Sequence, residues 1–163
     1  ATPADIQPLA DLLTVCFHPQ VSRRRWLAPL IRLGIIEDLR SRLRAPAPDY
    51  LCLVALRGEN QEIVGTVEIT LKGWFSSSRR HCYLSNLAVS PTHRRRGVAR
   101  QLLAHCEQIA RGWNCQRVAL HVLASNTGAE TLYRTLGYQP SREGEAPWFS
   151  LGNQRRLLQK RLS

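Results

Sequence analysis

Residues 83–104 read YLSNLAVSPTHRRRGVARQLLA, and this stretch decides the fold. An apolar strand, Cys82 to Val89, is followed by a short arginine-rich turn that contains Gly97, and apolar residues then recur at helical spacing from Val98 onward. Backbone N–H groups at the start of a helix are unpaired, and the helix dipole adds positive potential there. The turn is therefore suited to binding a pyrophosphate.

The side chains of this turn fit the same ligand. Gly97 and Ala99 allow a ligand to approach the backbone closely, and Arg95, Arg96 and Arg100 add positive charge around it. An arginine cluster before a helix is by itself more often a solvated face or a weak nucleic-acid patch. The flanking strand and the glycine favour the phosphate-binding interpretation.

The N-terminal part of the chain predicts two helices. Thr2-Pro3-Ala4-Asp5 has the form of a helix start, with a capping hydroxyl and a proline at the first helical position. Apolar residues recur at helical spacing from Ile6 to Phe17 and predict an amphipathic helix. A second apolar and basic region runs from Trp26 to Leu43; because Pro29 and Gly34 interrupt it, we expect a broken or two-part helix.

The next segments change to the periodicity of strands. The runs Tyr50 to Leu56 and Ile63 to Leu71, separated by a turn that contains Gly58, predict a β-hairpin. In the second strand Val67 and its alternate neighbours share an apolar face. Glu68 is therefore expected mid-strand on the opposite, polar face.

Beyond the central helix, the pattern returns to strand, helix and strand. Apolar residues from Val118 to Val122 define a strand face, Ala129 to Leu136 a short helix ended by Gly137, and Arg155 to Leu162 a last edge strand. The complete order predicts an α+β (mixed α/β) fold. Its central strand-helix-strand crossover is expected to be parallel and right-handed.

Composition limits the number of domains and the kind of partner. The chain has 163 residues, of which 44% are hydrophobic, which fits a single domain over residues 1–163. The net charge is +11 and comes almost entirely from arginine, since Lys72 and Lys160 are the only lysines. This charge favours phosphate-bearing ligands, although genome base composition produces the same bias toward arginine.

Cysteine usage and hydropathy argue against several classes of protein. The chain has 5 cysteines and no Cys-x-x-Cys, so we expect buried apolar thiols in a reducing cytosol rather than disulfides. His93 and His105 lack the spacing of metal ligands; we expect surface or helix residues and no metal. No apolar run approaches the roughly 18 residues of a membrane helix, and no secretion signal is recognisable. Because the sequence does not begin with Met, removal of a targeting segment stays an open alternative.

Two motifs resemble those of the GNAT superfamily of N-acetyltransferases. The acetyl-CoA pattern of that family is Gln or Arg, two residues, Gly, one residue, then Gly or Ala, and Arg94, Gly97 and Ala99 meet it. Residues 126–138, NTGAETLYRTLGY, match the family's Asn, Ala, Tyr, Gly-aromatic block at its usual spacing. The resemblance implies a mixed, mostly antiparallel sheet of roughly six to seven strands flanked by about four helices.

The resemblance also implies that acetyl-CoA is the cosubstrate. In the family the backbone of the "LAV" segment meets the acetyl and pantetheine part, the Asn of the second block contacts the pantetheine, and its Tyr lies near the thioester sulfur. The expected cofactor-binding residues are Leu87, Ala88, Val89, Arg94, Arg95, Arg96, Gly97, Val98, Ala99, Arg100, Asn126 and Tyr133.

Acetyl transfer to an amine needs a neutral nucleophile and a proton for the departing thiolate. Tyr133 is the candidate acid, because it lies two helical turns after Asn126 on the same face; the alternative is an ordinary core tyrosine. Two residues are candidate bases: Glu68, at the position where many GNAT enzymes carry a glutamate, and His121, on the strand that leads to Asn126. The residues leave this choice open.

The acceptor amine is less constrained. LHVLASN, residues 120–126, is similar to the bacterial ribosomal-protein alanine N-acetyltransferases, which have a catalytic glutamate where this chain has His121. LSNLAV, residues 84–89, resembles cyanobacterial and plastid GNAT proteins. These similarities favour a protein N-terminal α-amine or a lysine side chain, with a small amine (arylalkylamine, polyamine or amino acid) as the alternative. Trp26, Trp74 and Phe75 are candidates for the acceptor groove.

Arginine clusters support a function of another class. Arg23-Arg24-Arg25, Arg79-Arg80 and Arg155-Arg156 would suit a basic module that binds RNA or the ribosome, or an enzyme that works near the ribosome. The two intact CoA motifs favour the enzyme. We expect a cytoplasmic protein, or a plastid stromal one if a targeting segment was removed, and a monomer or homodimer.

Overall fold

A computed structural model describes residues 1–17, 28–44, 48–72, 80–141 and 155–162. The helices are Ile6–Phe17 (α1), Ala28–Arg44 (α2), Val98–Gly112 (α3) and Thr127–Thr135 (α4). The strands are Tyr50–Arg57 (β1), Glu62–Lys72 (β2), His81–Val89 (β3), Arg117–Leu123 (β4), Gln139–Pro140 (β5) and Arg155–Arg161 (β6).

These strands form a six-stranded, mostly antiparallel sheet in the order β1-β2-β3-β4-β6-β5. The predicted α+β fold is confirmed. β3 and β4 pair in parallel, with His81 opposite Arg117 and Leu84 opposite Leu120, as the central crossover predicts. The prediction of a last edge strand is wrong for β6, because β5 pairs with its outer side. Two residues are too few to carry a strand signal in the sequence.

Contacts divide the chain into two compact units. The first contains Ala1–Glu68 and Asn86–Leu103, and the second contains Ile69–Ser85 and Ala104–Ser163. That residues 1–163 make a single domain stays a prediction. None of the helices in the described segments has the length and apolar character needed to span a bilayer.

In the first unit, α2 differs from expectation. It is one continuous helix through Gly34, because Pro29 lies in the first turn, where its missing N–H is not needed. Ile36 and Leu39 are 4% and 1% exposed. Their burial against α1 offsets the roughly 0.5–1 kcal/mol that an internal glycine costs a helix. Trp26 lies outside the described residues.

In the second unit, residues next to α4 specify where this helix begins and ends. The Asn126 side chain caps α4 by accepting a hydrogen bond of 3.2 Å from the N–H of Ala129. The same helix is followed by Gly137, whose φ is +88°, a conformation that favours glycine. Cys82, Cys106 and Cys115 are buried and free, as predicted.

Candidate functional site

The arginine-rich turn has the geometry of an anion-binding helix start. Gly97 adopts a φ of +84°, which lets the chain turn directly into α3. The first helical hydrogen bond runs from the N–H of Gln101 to the carbonyl of Gly97 at 3.0 Å. Arg95, Arg96 and Arg100 are exposed around this start. The turn therefore combines the N–H groups of a helix start with positive charge.

Arg94 has a different part in this turn. Its Nε donates a hydrogen bond of 3.2 Å to the carbonyl of Val89, the last residue of β3. The thiol of Cys16 donates to the same carbonyl at 3.4 Å. Arg94 thus ties the turn to the strand before it.

Gly65 is a residue of this region that the sequence reasoning missed. A Cβ at this position would lie 2.9 Å from Cγ1 of Val98 and 3.3 Å from the carbonyl oxygen of Ala88. β2 therefore passes so close to the start of α3 that any side chain at this position would force its neighbours to shift. The available signal was a lone glycine inside a strand pattern, which often marks a close approach.

His93, expected as a surface or helix residue, is buried in the 3₁₀ turn Pro91–His93, whereas His105 is exposed on α3. Nη1 of Arg57 lies 2.6 Å from Nε2 of His93, and Oγ1 of Thr92 lies 3.0 Å from Nδ1. A guanidinium only donates, so Nε2 accepts in this contact. His93 braces the segment before the arginine-rich turn. Among the described residues no cluster of potential metal ligands occurs.

Glu68 lies mid-strand in β2, as predicted, but its face is not solvated. Glu68 and Thr66 are each 1% exposed, like the apolar residues between and beyond them. One carboxylate oxygen accepts a hydrogen bond of 2.9 Å from Nδ2 of Asn86. The other accepts from Nη1 of Arg42 on α2, whose Nη2 pairs with Asp38 at 2.5 Å. Asn86 has a φ of +52°.

His121 has a contrasting environment on β4. The residue is exposed, and its Nδ1 lies 2.8 Å from the hydroxyl of Tyr83 on the parallel neighbour β3. Partial desolvation of the ring, and then the positive charge of Arg155, lower the pKa of His121. Its neutral form is therefore favoured near pH 7.

Sequence reasoning did not identify Tyr83. The contact between Tyr83 and His121 depends on the register of β3 against β4. In this register Tyr83 lies opposite Ala119, two residues before His121. The alternation of each strand was readable, but the pairing register was not.

Tyr133 is buried on α4, with its ring edge-on to Tyr138 at a centroid distance of 5.9 Å. Burial, and then the charge of Tyr83, raise the pKa of Tyr133 to about 12. The phenol therefore stays protonated at neutral pH. The structure thus brings together Glu68 with Asn86 in the first unit, and His121 with Tyr83 in the second. Trp74, Phe75 and the cluster Arg23-Arg24-Arg25 lie outside the described residues, as does Arg79.

Known proteins are similar to this chain in sequence. Residues 7–138 match the family described as the acetyltransferase (GNAT) family. GCN5-related N-acetyltransferase 10, chloroplastic, of Arabidopsis thaliana is 31% identical over an alignment of 145 residues that covers 79% of this chain and 56% of that protein. The catalytic subunit naa20 of the N-terminal acetyltransferase B complex of Schizosaccharomyces pombe is 35% identical over 80 residues, which are 49% of this chain and 41% of that subunit.

The fold has solved counterparts. The crystal structure of the PaiA N-acetyltransferase of Thermoplasma acidophilum in complex with coenzyme A superposes with a TM-score of 0.71 at 15% identity. The match covers 99% of this chain and 96% of that one. By contrast, the chain spans about half the length of the two curated relatives, 56% and 41%.

Proposed function

Because this chain belongs to the GNAT family of acetyltransferases, we propose that it transfers the acetyl group of acetyl-CoA directly to the N-terminal α-amine of a protein or peptide. The observation that carries the proposal is the Tyr83–His121 pair, an exposed imidazole hydrogen-bonded to a phenol at 2.8 Å. Such a pair is a base for a weakly basic amine. The similarity to naa20, named as an N-terminal acetyltransferase subunit, supports the same acceptor.

The strength of the base distinguishes the two protein acceptors. An α-amine has a pKa near 8, whereas a lysine amine has one of about 10.4. Desolvation and Arg155 lower the pKa of His121 below its usual value, so it is a weak base. A weak base removes the proton of an α-ammonium far more readily than that of a lysine ammonium.

The cosubstrate is assigned to the residues that match the family's motifs. We ascribe the pyrophosphate to the turn from Arg94 to Ala99 and to Arg100, and the pantetheine to the backbone of Leu87–Val89 and to Asn126. When bound, acetyl-CoA supplies a thioester that an amine can attack. No metal takes part in this proposal.

The proposed proton transfers are carried by named groups. The hydroxyl oxygen of Tyr83 takes the proton of the attacking amine while its own proton passes to Nδ1 of His121, 2.8 Å away. Tyr133 donates its hydrogen to the departing sulfur, as the thioester C–S bond breaks and the amide C–N bond forms. Glu68, whose carboxylate already accepts two hydrogen bonds, receives no proton in this scheme.

The chloroplastic relative bears on the compartment. Its similarity favours a plastid over the cytosol as the site of action. Both compartments are reducing, which agrees with the free state of the chain's cysteines.

The test is mass-spectrometric acetyl transfer from acetyl-CoA to three acceptor sets: peptides with free N-termini but no lysine, N-blocked lysine peptides, and small amines. We expect product on the first set. Product only on lysine peptides or only on small amines would overturn the α-amine assignment. No product on any set, together with RNA affinity that falls steeply with salt, would favour a binding module instead of an enzyme.

A further inference from the structure

We propose that Glu68 is a positioning residue, whose carboxylate holds Asn86 in the left-handed backbone conformation and thereby aims the backbone of Leu87–Val89. The inference rests on the proposed function, because that backbone is the segment assigned to acetyl-CoA. It gives Glu68 a role other than that of a base for the acceptor amine.

Asn86 has an unusual backbone conformation for its place in the fold. It lies inside β3, yet its φ is +52°. L residues disfavour this region, and asparagine is among the few that tolerate it. A left-handed residue within a strand bends the chain and changes the direction of the groups that follow. Directly after this residue come Leu87, Ala88 and Val89.

A hydrogen bond to Glu68 fixes the conformation of Asn86. Nδ2 of Asn86 donates to Glu68 at 2.9 Å, and Glu68 is 1% exposed, so the bond is shielded from water. The second carboxylate oxygen accepts from Arg42, which Asp38 orients from one turn earlier on α2. Glu68 is thus held on one side and holds Asn86 on the other.

The chain after Asn86 is hydrogen-bonded to β2 at Ser90. The N–H of Ser90 donates to the carbonyl of Val64 at 2.9 Å, so the residue after β3 is hydrogen-bonded to β2. Between these two fixed points, Asn86 and Ser90, the backbone of Leu87–Val89 has a set direction. The contact between Glu68 and Asn86 therefore sets the backbone direction of Leu87–Val89, the segment assigned to acetyl-CoA.

A positioning role and a catalytic-base role predict different losses. If Glu68 aims the backbone, its replacement weakens coenzyme A binding and leaves the acidic limb of the pH–rate profile in place. If it is the base, the acidic limb disappears and coenzyme A binding is unchanged. Calorimetric titration with coenzyme A needs no turnover, so this readout stays informative even if the proposed acceptor is wrong.

The experiment is a double-mutant cycle between Glu68→Gln and Asn86→Gly, read by the Kd for coenzyme A. Glutamine has a single acceptor oxygen, for which Arg42 and Asn86 compete, so we expect a Kd about tenfold higher, in line with the cost of a left-handed residue. Glycine adopts a positive φ freely. We therefore expect Asn86→Gly to bind within about twofold of the parent, and the double variant to bind like Asn86→Gly.

A second pair of variants leaves the buried carboxylate untouched. Asn86→Ala keeps a side chain that is strained at positive φ and removes the donor, so it should weaken coenzyme A binding where Asn86→Gly does not. Unfolding midpoints of all variants show that each is folded. The proposal is overturned if Asn86→Gly fails to suppress the effect of Glu68→Gln on the Kd, or if Glu68→Gln removes the acidic limb.

Discussion

Glu68 and His121 are both polar residues in the middle of strands, yet they differ in exposure and in hydrogen bonding. Glu68 is 1% exposed and accepts hydrogen bonds on both oxygens, whereas His121 is exposed and lies beside the Tyr83 hydroxyl. A base needs an available lone pair near the substrate. A polar residue in the middle of a strand can therefore have a structural or a chemical role. The side chains that neighbouring elements place beside it decide which role it has.

Replacement of His121 is the most direct way to break this contrast. We expect His121→Ala to lower kcat/KM for an α-amine peptide on the order of 10³-fold, because the final acceptor of the amine proton is gone. The acidic limb of the pH–rate profile should vanish in this variant and persist in Glu68→Gln. The measurement is steady-state turnover across pH. Loss of the limb in Glu68→Gln but not in His121→Ala would reverse the assignment.

Tyr133→Phe tests the proposed acid, as His121→Ala tests the proposed base. Burial holds the pKa of Tyr133 at about 12, so its phenol is always protonated but is a weak acid. We expect kcat to fall on the order of 10²-fold, at the low end of acid catalysis, with little change in the KM for acetyl-CoA. Tyr138→Phe is the matched control, since it removes a hydroxyl from the ring next to Tyr133. Full turnover by Tyr133→Phe would end the acid assignment.

Gly65→Ala tests the close approach of β2 to the start of α3, where acetyl-CoA is assigned. The new Cβ would lie 2.9 Å from Val98 at the start of α3, so we expect destabilisation of about 1–3 kcal/mol and a higher KM for acetyl-CoA. The matched control is Gly34→Ala on α2, where no atom lies within 4 Å of the added Cβ. It should stabilise the chain by about 0.4–1 kcal/mol. Denaturant unfolding measures both, and equal effects would argue against the close approach.

Local patterns predicted much of this molecule correctly. The helix that starts at Val98 was readable from its own turn, and α4 from its cap at Asn126 and its end at Gly137. These signals lie within a few residues of the structure that they specify. The arginine-rich turn and Tyr133 were therefore placed on the correct elements by sequence alone.

The features that the sequence did not predict depend on long-range contacts. Glu68 is covered by Arg42, 26 positions earlier in the chain, and Tyr83 meets His121 across 38 positions. α2 continues through Gly34 because Ile36 and Leu39 are buried, which overrides local propensity. No periodicity of one segment encodes these partners, so the distinction between a locked carboxylate and an available imidazole required the fold.

The smallest expected effect concerns the charge beside His121. Arg155 contributes to the lowered pKa of this histidine after desolvation, so Arg155→Gln should raise that pKa toward the ordinary value of about 6.5. The acidic limb of the pH–rate profile then moves to higher pH, because more of the ring is protonated at a given pH. Arg156→Gln is the matched control, since its guanidinium pairs with Glu130 at 3.0 Å.

The same shift has a consequence for stability with a defined sign. Since the folded chain binds the His121 proton more weakly than the unfolded chain, stability falls as pH drops through about 6.5, and Arg155→Gln should reduce that fall. Urea unfolding on either side of this pH measures it, beside the pH–rate profile. If Arg155→Gln and Arg156→Gln move the limb equally, general surface charge sets the pKa of His121. A shift confined to Arg155→Gln would mean that the His121 ring itself gives rise to the limb.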